Sequence, residues 1–425
     1  MQLRVAIGAI LLCALVSGMD AGVAAAPGPV DVAAEVGLGG ISARTWTANV
    51  ADHDADGDKD WFLVRHNPQW FWTGAGTEPF STLFVNQESG TGGPVFNGTD
   101  FAAPRASERD RHDCDFADVD GSEADRRQDL FCAIGLDDDS TNELWTQGAT
   151  GGLQDSSASF GLTAPGGGGN YRTTTFIHAN SDEFPDVYVT RYYGPDGAPL
   201  NDPAEDPPVP NELWINQNGT SFQRAADSYG LNTAIGAQKD TPGCTQAVDF
   251  DGDADQDLLV CAYKSVKLYR NNGNSTFSDV TTAFAVGGFW KDARIVDLGG
   301  TVSRDIVQLR AGSLVVKLWD GAKWATRYSN ALTAGETLAT GDIDGDGDED
   351  IYVVRTCASG ANQPDLVYLN GGTGATFTKV PLPSGVPGCG NDVERVDYDG
   401  DGSDDFIVLN GKQKKPGPVQ LFTWR

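Results

Sequence analysis

The sequence predicts an all-β fold, a seven-bladed β-propeller whose ring is closed by an N-terminal strand, and three observations carry that prediction. An acidic frame, nine residues long in its regular form, recurs along the chain, starting at 52, 118, 178, 249, 297, 342 and 397. The mean step of about 57 residues lies in the range of propellers and solenoids. Each frame precedes an apolar run of strand length, at residues 61–64, 258–261, 351–354 and 406–409 in the most regular copies. No long stretch shows the 3.6-residue period of an amphipathic helix, which sets aside a helical solenoid.

The elements follow in order within each repeat. A short strand leads into the frame, as at residues 245–248 and 337–339, and the apolar run after it is the second strand. A third and a fourth strand are joined by Asn-Gly or Gly-Gly turns, as at Asn218-Gly219 and Gly371-Gly372, which are hairpin signals. Four antiparallel strands repeated seven times describe a propeller. The chain ends on a run, residues 419–424, that reads as a third strand, so the last blade lacks its fourth. Residues 30–38 carry the missing fourth-strand pattern, and an open seam would expose an edge strand. The N-terminal segment is therefore expected to complete the last blade.

Residues 1–26 have one early base, Arg4, an apolar stretch and a small-residue end. They read as a secretory signal peptide, too short for a membrane span. Residues 27–425 are then one propeller domain, secreted or held at the cell surface or in the periplasm, with no transmembrane segment. The chain holds 60 Asp+Glu against 30 Lys+Arg, a formal charge of −30. Such an excess argues against nucleic acid, whose phosphates need basic partners.

Much of that charge falls in the frames, in a pattern suited to a hard cation. Calcium takes six to eight oxygens, and alternate residues of a tight loop turn carboxylates inward while a backbone carbonyl fills one place. Positions one, three, five and nine supply side chains: Asp52, Asp54, Asp56 and Asp60; Asp249, Asp251, Asp253 and Asp257; Asp342, Asp344, Asp346 and Asp350; Asp397, Asp399, Asp401 and Asp405. Position seven, held by Asp58, Asp255, Asp348 and Ser403, offers its carbonyl. The twelfth place is apolar, Val260, Val353 or Val408 in the loops at 249, 342 and 397, so these are not EF-hands, which need an acid there. A longer copy offers Asp118, Asp120 and Asp129, and the copies at His178 and Asp297 have lost ligands. About four to five Ca²⁺ ions are expected.

Six cysteines remain after the signal peptide, an even number that suits disulfides in an exported protein. Cys114 and Cys132 flank one frame almost symmetrically, as do Cys244 and Cys261, so each pair should face across two antiparallel strands. Cys357 and Cys389 are left as the third pair. The motif Asp-apolar-Asp-Gly-Asp-Gly-x-x-Asp, then a strand, then Leu-Tyr-x-Asn-x-Gly-x-x-x-Phe, resembles the FG-GAP and VCBS repeat families, known from the integrin alpha-subunit propeller. Such a resemblance implies a calcium-binding propeller and embraces adhesins, lectins and appendages of polysaccharide lyases.

No nucleophile elbow, HExxH, Walker A or dinucleotide glycine pattern follows a suitable strand. The glycine run 166–169 reads as a connection, and the acceptor-like sites at Asn97, Asn218 and Asn274 read as hairpin turns. A binding or adhesion module for a glycan or an extracellular protein is the expected function; a secreted glycan lyase or hydrolase working in a propeller cleft is the alternative. Two second-to-third strand connections are long and aromatic, and Trp70, Phe71, Trp72, Tyr192 and Tyr193 within them are the candidate ligand contacts, on the face away from the frames.

Overall fold

In the computed structural model, the described residues are 28–425 without 66–80, 90–92, 101–109, 122–126, 136–140, 148–151, 163–170, 192–209, 234–241, 263–264, 285, 287–289, 300–303, 358–362, 383–389 and 412–415. Seven antiparallel sheets form a closed ring of blades. Their first strands are Thr45–Ala51, Arg111–Ala117, Tyr171–Ile177, Pro242–Val248, Trp290–Val296, Gly335–Gly341 and Asp392–Val396. Each of these packs beside the next, and the seventh packs beside the first. These are therefore the inner strands, and blades 1 to 7 are numbered from them.

The second strand of every blade begins on the closing Asp of its frame, at Asp60, Asp129, Asp186, Asp257, Asp305, Asp350 and Asp405. Residues from Asp60 to Arg65 are all buried, because both faces of a middle strand meet a neighbouring blade. Alternation then assigns the side chains: Trp61 and Leu63 enter the seam with blade 7, whereas Phe62 and Val64 enter the seam with blade 2. The hydrophobic core is thus divided into interblade seams. At the first of them Trp61 stacks on Phe84 with ring centroids 4.2 Å apart.

The seventh blade takes its outer strand from the other end of the chain. Pro29–Asp31 pairs antiparallel with Gly417–Trp424, joining Val30 to Thr423, and a second short strand, Ser42–Ala43, pairs with Gly417 and Pro418. The strand is shorter than the pattern at 30–38 suggests, since a helical turn follows it, with the Val36 amide donating to the Val32 carbonyl. Outer strands of blades 2, 3 and 4 end in the same kind of turn. Gly37, at φ +85°, lies against the Phe96 carbonyl of blade 1, as Gly161 and Gly230 lie against Phe222 and Phe277. Val32, Val36 and Leu38 complete the seam between blades 7 and 1.

Disulfides Cys114–Cys132 and Cys244–Cys261 join directly opposed residues of the first and second strands. Cys357 is disulfide-bonded as well, while Cys389 lies outside the described residues. Asn218, at φ 51°, sits in its hairpin turn as the sequence suggests. Asn97 does not: it lies inside the outer strand Gly93–Asp100, paired opposite Val85. An Asn-Gly pair marks a turn only where the ladder ends, and there the ladder continues. Among the described residues no helix is long and apolar enough to cross a membrane.

Candidate metal loops and the central channel

The closing Asp of the frame, position nine in its regular form, has the same duty in every blade. Its Oδ2 accepts the amide of position two: His53, Val119, Ala179, Phe250, Leu298, Ile343 and Tyr398 donate at 2.9 to 3.2 Å. In six blades Oδ1 also accepts a third-strand amide, from Asn86, Gln147, Asn216, Asn271, Trp319 and Asn370, at 2.6 to 2.8 Å. One carboxylate therefore ties the loop to the far hairpin. The clamp persists at Asp186 and Asp305, whose loops lack the full set of alternate aspartates. Burial pushes Asp129, Asp186, Asp257, Asp350 and Asp405 up to about 7, against the pull of their amide donors.

The third-strand Asn has a second role that the sequence motif does not reveal. Side-chain amides of Asn86, Gln147, Asn216 and Asn370 donate to the carbonyls of Tyr398, His53, Val119 and Leu298, the position-two residues of the preceding blade, at 2.6 to 3.2 Å. Those four loops are thereby stitched to the next blade. The recurrence of Asn before the turn was the available signal; its partner lies a whole blade away.

Positions four and six are left-handed in all four regular loops. Ala55 and Gly57, Gly252 and Ala254, Gly345 and Gly347, and Gly400 and Gly402 have φ between 63° and 103°, a region in which glycine is unstrained. The winding brings alternate carboxylates together: oxygens of Asp52, Asp54 and Asp56 lie within 4.8 Å of one another, as do those of Asp118, Asp120 and Asp129 and of Asp249, Asp251 and Asp257. The position-one Oδ2 accepts the position-six amide at 3.0 to 3.3 Å in each regular loop. Its Oδ1 is buried without a hydrogen-bond partner in Asp52, Asp342 and Asp397, and so is Asp54 Oδ1.

Electrostatics agrees with that geometry. Asp54, Asp251, Asp344 and Asp399 are held above the usual carboxylate range, first by burial and then by neighbouring loop carboxylates. A bound dication inverts this situation by neutralising the cluster. An orphaned buried oxygen beside several carboxylates is a donor set that fits a hard cation. The loop at His178 differs, because Asn180 already donates to Asp182 at 2.8 Å. At the loop that begins with Asp297, Asp297 Oδ1 accepts the Gly299 amide at 3.2 Å and Asp305 keeps the clamp.

The inner strands enclose a central cavity of about 420 Å³, lined by all seven. Inner strands offer their channel-facing edge to no further strand of their own sheet, so their amides need partners. Side chains from the adjacent blade supply several: Asp113 accepts from the Thr174 amide at 2.9 Å, Asp115 from Phe176 at 3.3 Å, Asp292 from Leu338 at 2.9 Å and Asp392 from Ala48 at 3.3 Å. Arg294 pairs with Asp292 at 2.6 Å. Burial pushes Asp115 and Asp392 up to about 6. Arg172 stacks over the Trp46 ring at 4.6 Å, and His112 packs on that ring with centroids 4.8 Å apart.

Trp70, Phe71, Trp72, Tyr192 and Tyr193, the ligand contacts that the sequence suggests, lie outside the described residues. The strand ends that flank them, at Arg65 and Arg191, point away from the acidic loops, since first and second strands join at one end of a blade and second and third at the other.

The FG-GAP-like repeat family matches residues 249–307 and 342–408, each running from the acidic loop of blade 4 or 6 through that blade's outer strands into the second strand of the next blade. No curated protein sequence matches the chain. Among solved structures, a lectin from Agrocybe aegerita, described as recognising non-reducing terminal N-acetylglucosamine, superposes with a TM-score of 0.51 at 17% identity, covering 82% of each chain. BBS1N, solved in complex with ARL6DN, gives 0.50 at 11% identity over 91% of this chain and 94% of its own. A second structure of that complex, soaked with lead, gives 0.51 at 9% identity, over 92% and 95%. At these identities the likeness is one of fold.

Proposed function

We propose that this propeller of FG-GAP-like repeats is a secreted, calcium-stabilised binding module for a glycan or an extracellular protein. The observation that carries the calcium part is the buried, partnerless Oδ1 of Asp52, Asp342 and Asp397. Such an atom is costly unless a cation meets it. Asp52, Asp54, Asp56 and Asp60 would hold one ion with the Asp58 carbonyl, and the loops at 249, 342 and 397 would each hold another in the same way. The loop of Asp118, Asp120 and Asp129 is the fifth candidate. Calcium supplies charge neutralisation there, and the chain supplies the winding, the clamp and the stitch to the next blade.

Recognition is assigned to the face away from the loops and to the channel mouth. A lectin on the same fold is compatible with a sugar ligand, and disulfides suit an extracellular setting. Asp115 and Asp392, with pKa values near 6, carry the second reading, a glycan-cleaving enzyme. Their oxygens already hold amides of their own or the neighbouring blade, which favours structure over catalysis. A glycan array probed in Ca²⁺ and in chelator tests the proposal: calcium-dependent retention of a defined sugar class supports it. Loss of array signal with time, with new reducing ends in solution, would replace it by the enzyme reading.

A further inference from the structure

We propose that Arg304 weakens calcium binding in the loop 249–257, so that the regular loops fill in two steps. The inference rests on the calcium reading above. In the loops at Asp52, Asp342 and Asp397 the first carboxylate leaves Oδ1 unpartnered. In the fourth regular loop both oxygens of Asp249 are engaged: Oδ1 accepts the Gly252 amide at 2.7 Å, and Oδ2 accepts from Ala254 at 3.2 Å and from the Arg304 guanidinium at 3.3 Å. The position-one carboxylate is thus turned differently in that one loop.

Arg304 is delivered by the next blade. It precedes the clamp Asp305, and its carbonyl is held by the Trp324 indole N–H at 2.7 Å. Its guanidinium lies against the turn, since a Cβ added to Gly252 would stand 2.9 Å from one of its nitrogens. Position eight touches the preceding loop elsewhere too. Asp404 accepts the Asp342 amide at 2.7 Å, and Gln256 accepts the His178 amide at 2.7 Å. What varies is the charge placed there: a carboxylate beside the loop at Asp342, a guanidinium beside the loop at Asp249. Like charge opposes a dication, and a unit charge several ångströms away changes an ion's affinity by roughly tenfold even when largely screened.

Calcium titration calorimetry on the metal-free protein, with Arg304→Gln, Arg304→Lys and Asp251→Ala variants, tests this. The parent should show a weaker class of site that Asp251→Ala abolishes. Arg304→Gln should tighten that class by about tenfold, while Arg304→Lys keeps the charge and stays near the parent. In chelator, Arg304→Gln should melt below the parent, because Asp249 has lost its counter-charge. An Arg304→Gln isotherm equal to the parent's, or weaker, overturns the inference and leaves the calcium reading intact. A parent that binds no calcium overturns both.

Discussion

The loops 342–350 and 297–305 sit in adjacent blades and share a clamp, yet differ in everything the clamp encloses. Asp350 and Asp305 each hold the position-two amide, at 3.0 and 3.1 Å, and a third-strand amide, at 2.6 and 2.8 Å. Inside the first loop stand Asp342, Asp344, Asp346 and Asp348, with Asp342 Oδ1 buried and partnerless. The second retains Asp297, with Arg304 turned onto the neighbouring loop. Beside it an aromatic group takes over: Trp319 and Trp324 meet at 5.1 Å, Phe284 stacks on Trp319 at 5.5 Å, and Phe250 meets Phe284 at 5.1 Å. The ninth aspartate therefore serves the fold in both loops, and the alternate aspartates before it are what sets the proposed metal site apart.

Removing calcium should separate the two loops most strongly. A ligand that binds only the native state adds about 3 kcal/mol per site at a hundredfold excess over its Kd. Thermal melts in Ca²⁺ and in chelator should differ by many degrees, and an unchanged midpoint would refute structural calcium. Metal analysis sharpens the point: Asp344→Ala should lose about one ion per chain, whereas Asp297→Ala should lose none.

The clamp should behave in the opposite way. Asp350→Ala and Asp305→Ala each strand two amides, at a cost of about 3 kcal/mol. Denaturant unfolding should still show both losses in chelator. A loss at Asp350 alone would mean that its carboxylate works through metal and that the shared clamp is incidental.

The smallest expected effect is a pH slope that belongs to the channel. Burial raises Asp115 and Asp392 to about 6 from an ordinary value near 3.8. Folding then favours their protonated forms, so their contribution is full below about pH 4 and lost as pH rises through about 6. In excess calcium the loop carboxylates stay ionised, and melts between about pH 5 and 7.5 should still rise on acidification. Asp115→Asn should flatten that slope; a slope unchanged by the variant would assign it to other groups.

Much of this protein was legible in its sequence because the repeat writes the same local instructions seven times. Period, hairpin turns and alternating apolar residues predict four-stranded blades, and the opposed Cys114–Cys132 and Cys244–Cys261 pairs follow from strand register alone. The N-terminal strand was legible too, through its likeness to other outer strands, although only packing shows that residues 33–37 turn away to seal the first seam. The sequence also names every loop carboxylate, since the acidic frame is local in the chain.

Partners in a neighbouring blade are not written locally, and these only the tertiary structure decided. The stitch from Asn86 to Tyr398 spans the ring closure, and Asp113 and Asp292 cap amides of the next inner strand. Arg304 lies 55 residues from Asp249 along the chain and 3.3 Å away in space. A repeat fixes what each blade contains; closing seven of them into a ring fixes which side chains meet between them, because interblade distances depend on the whole circumference.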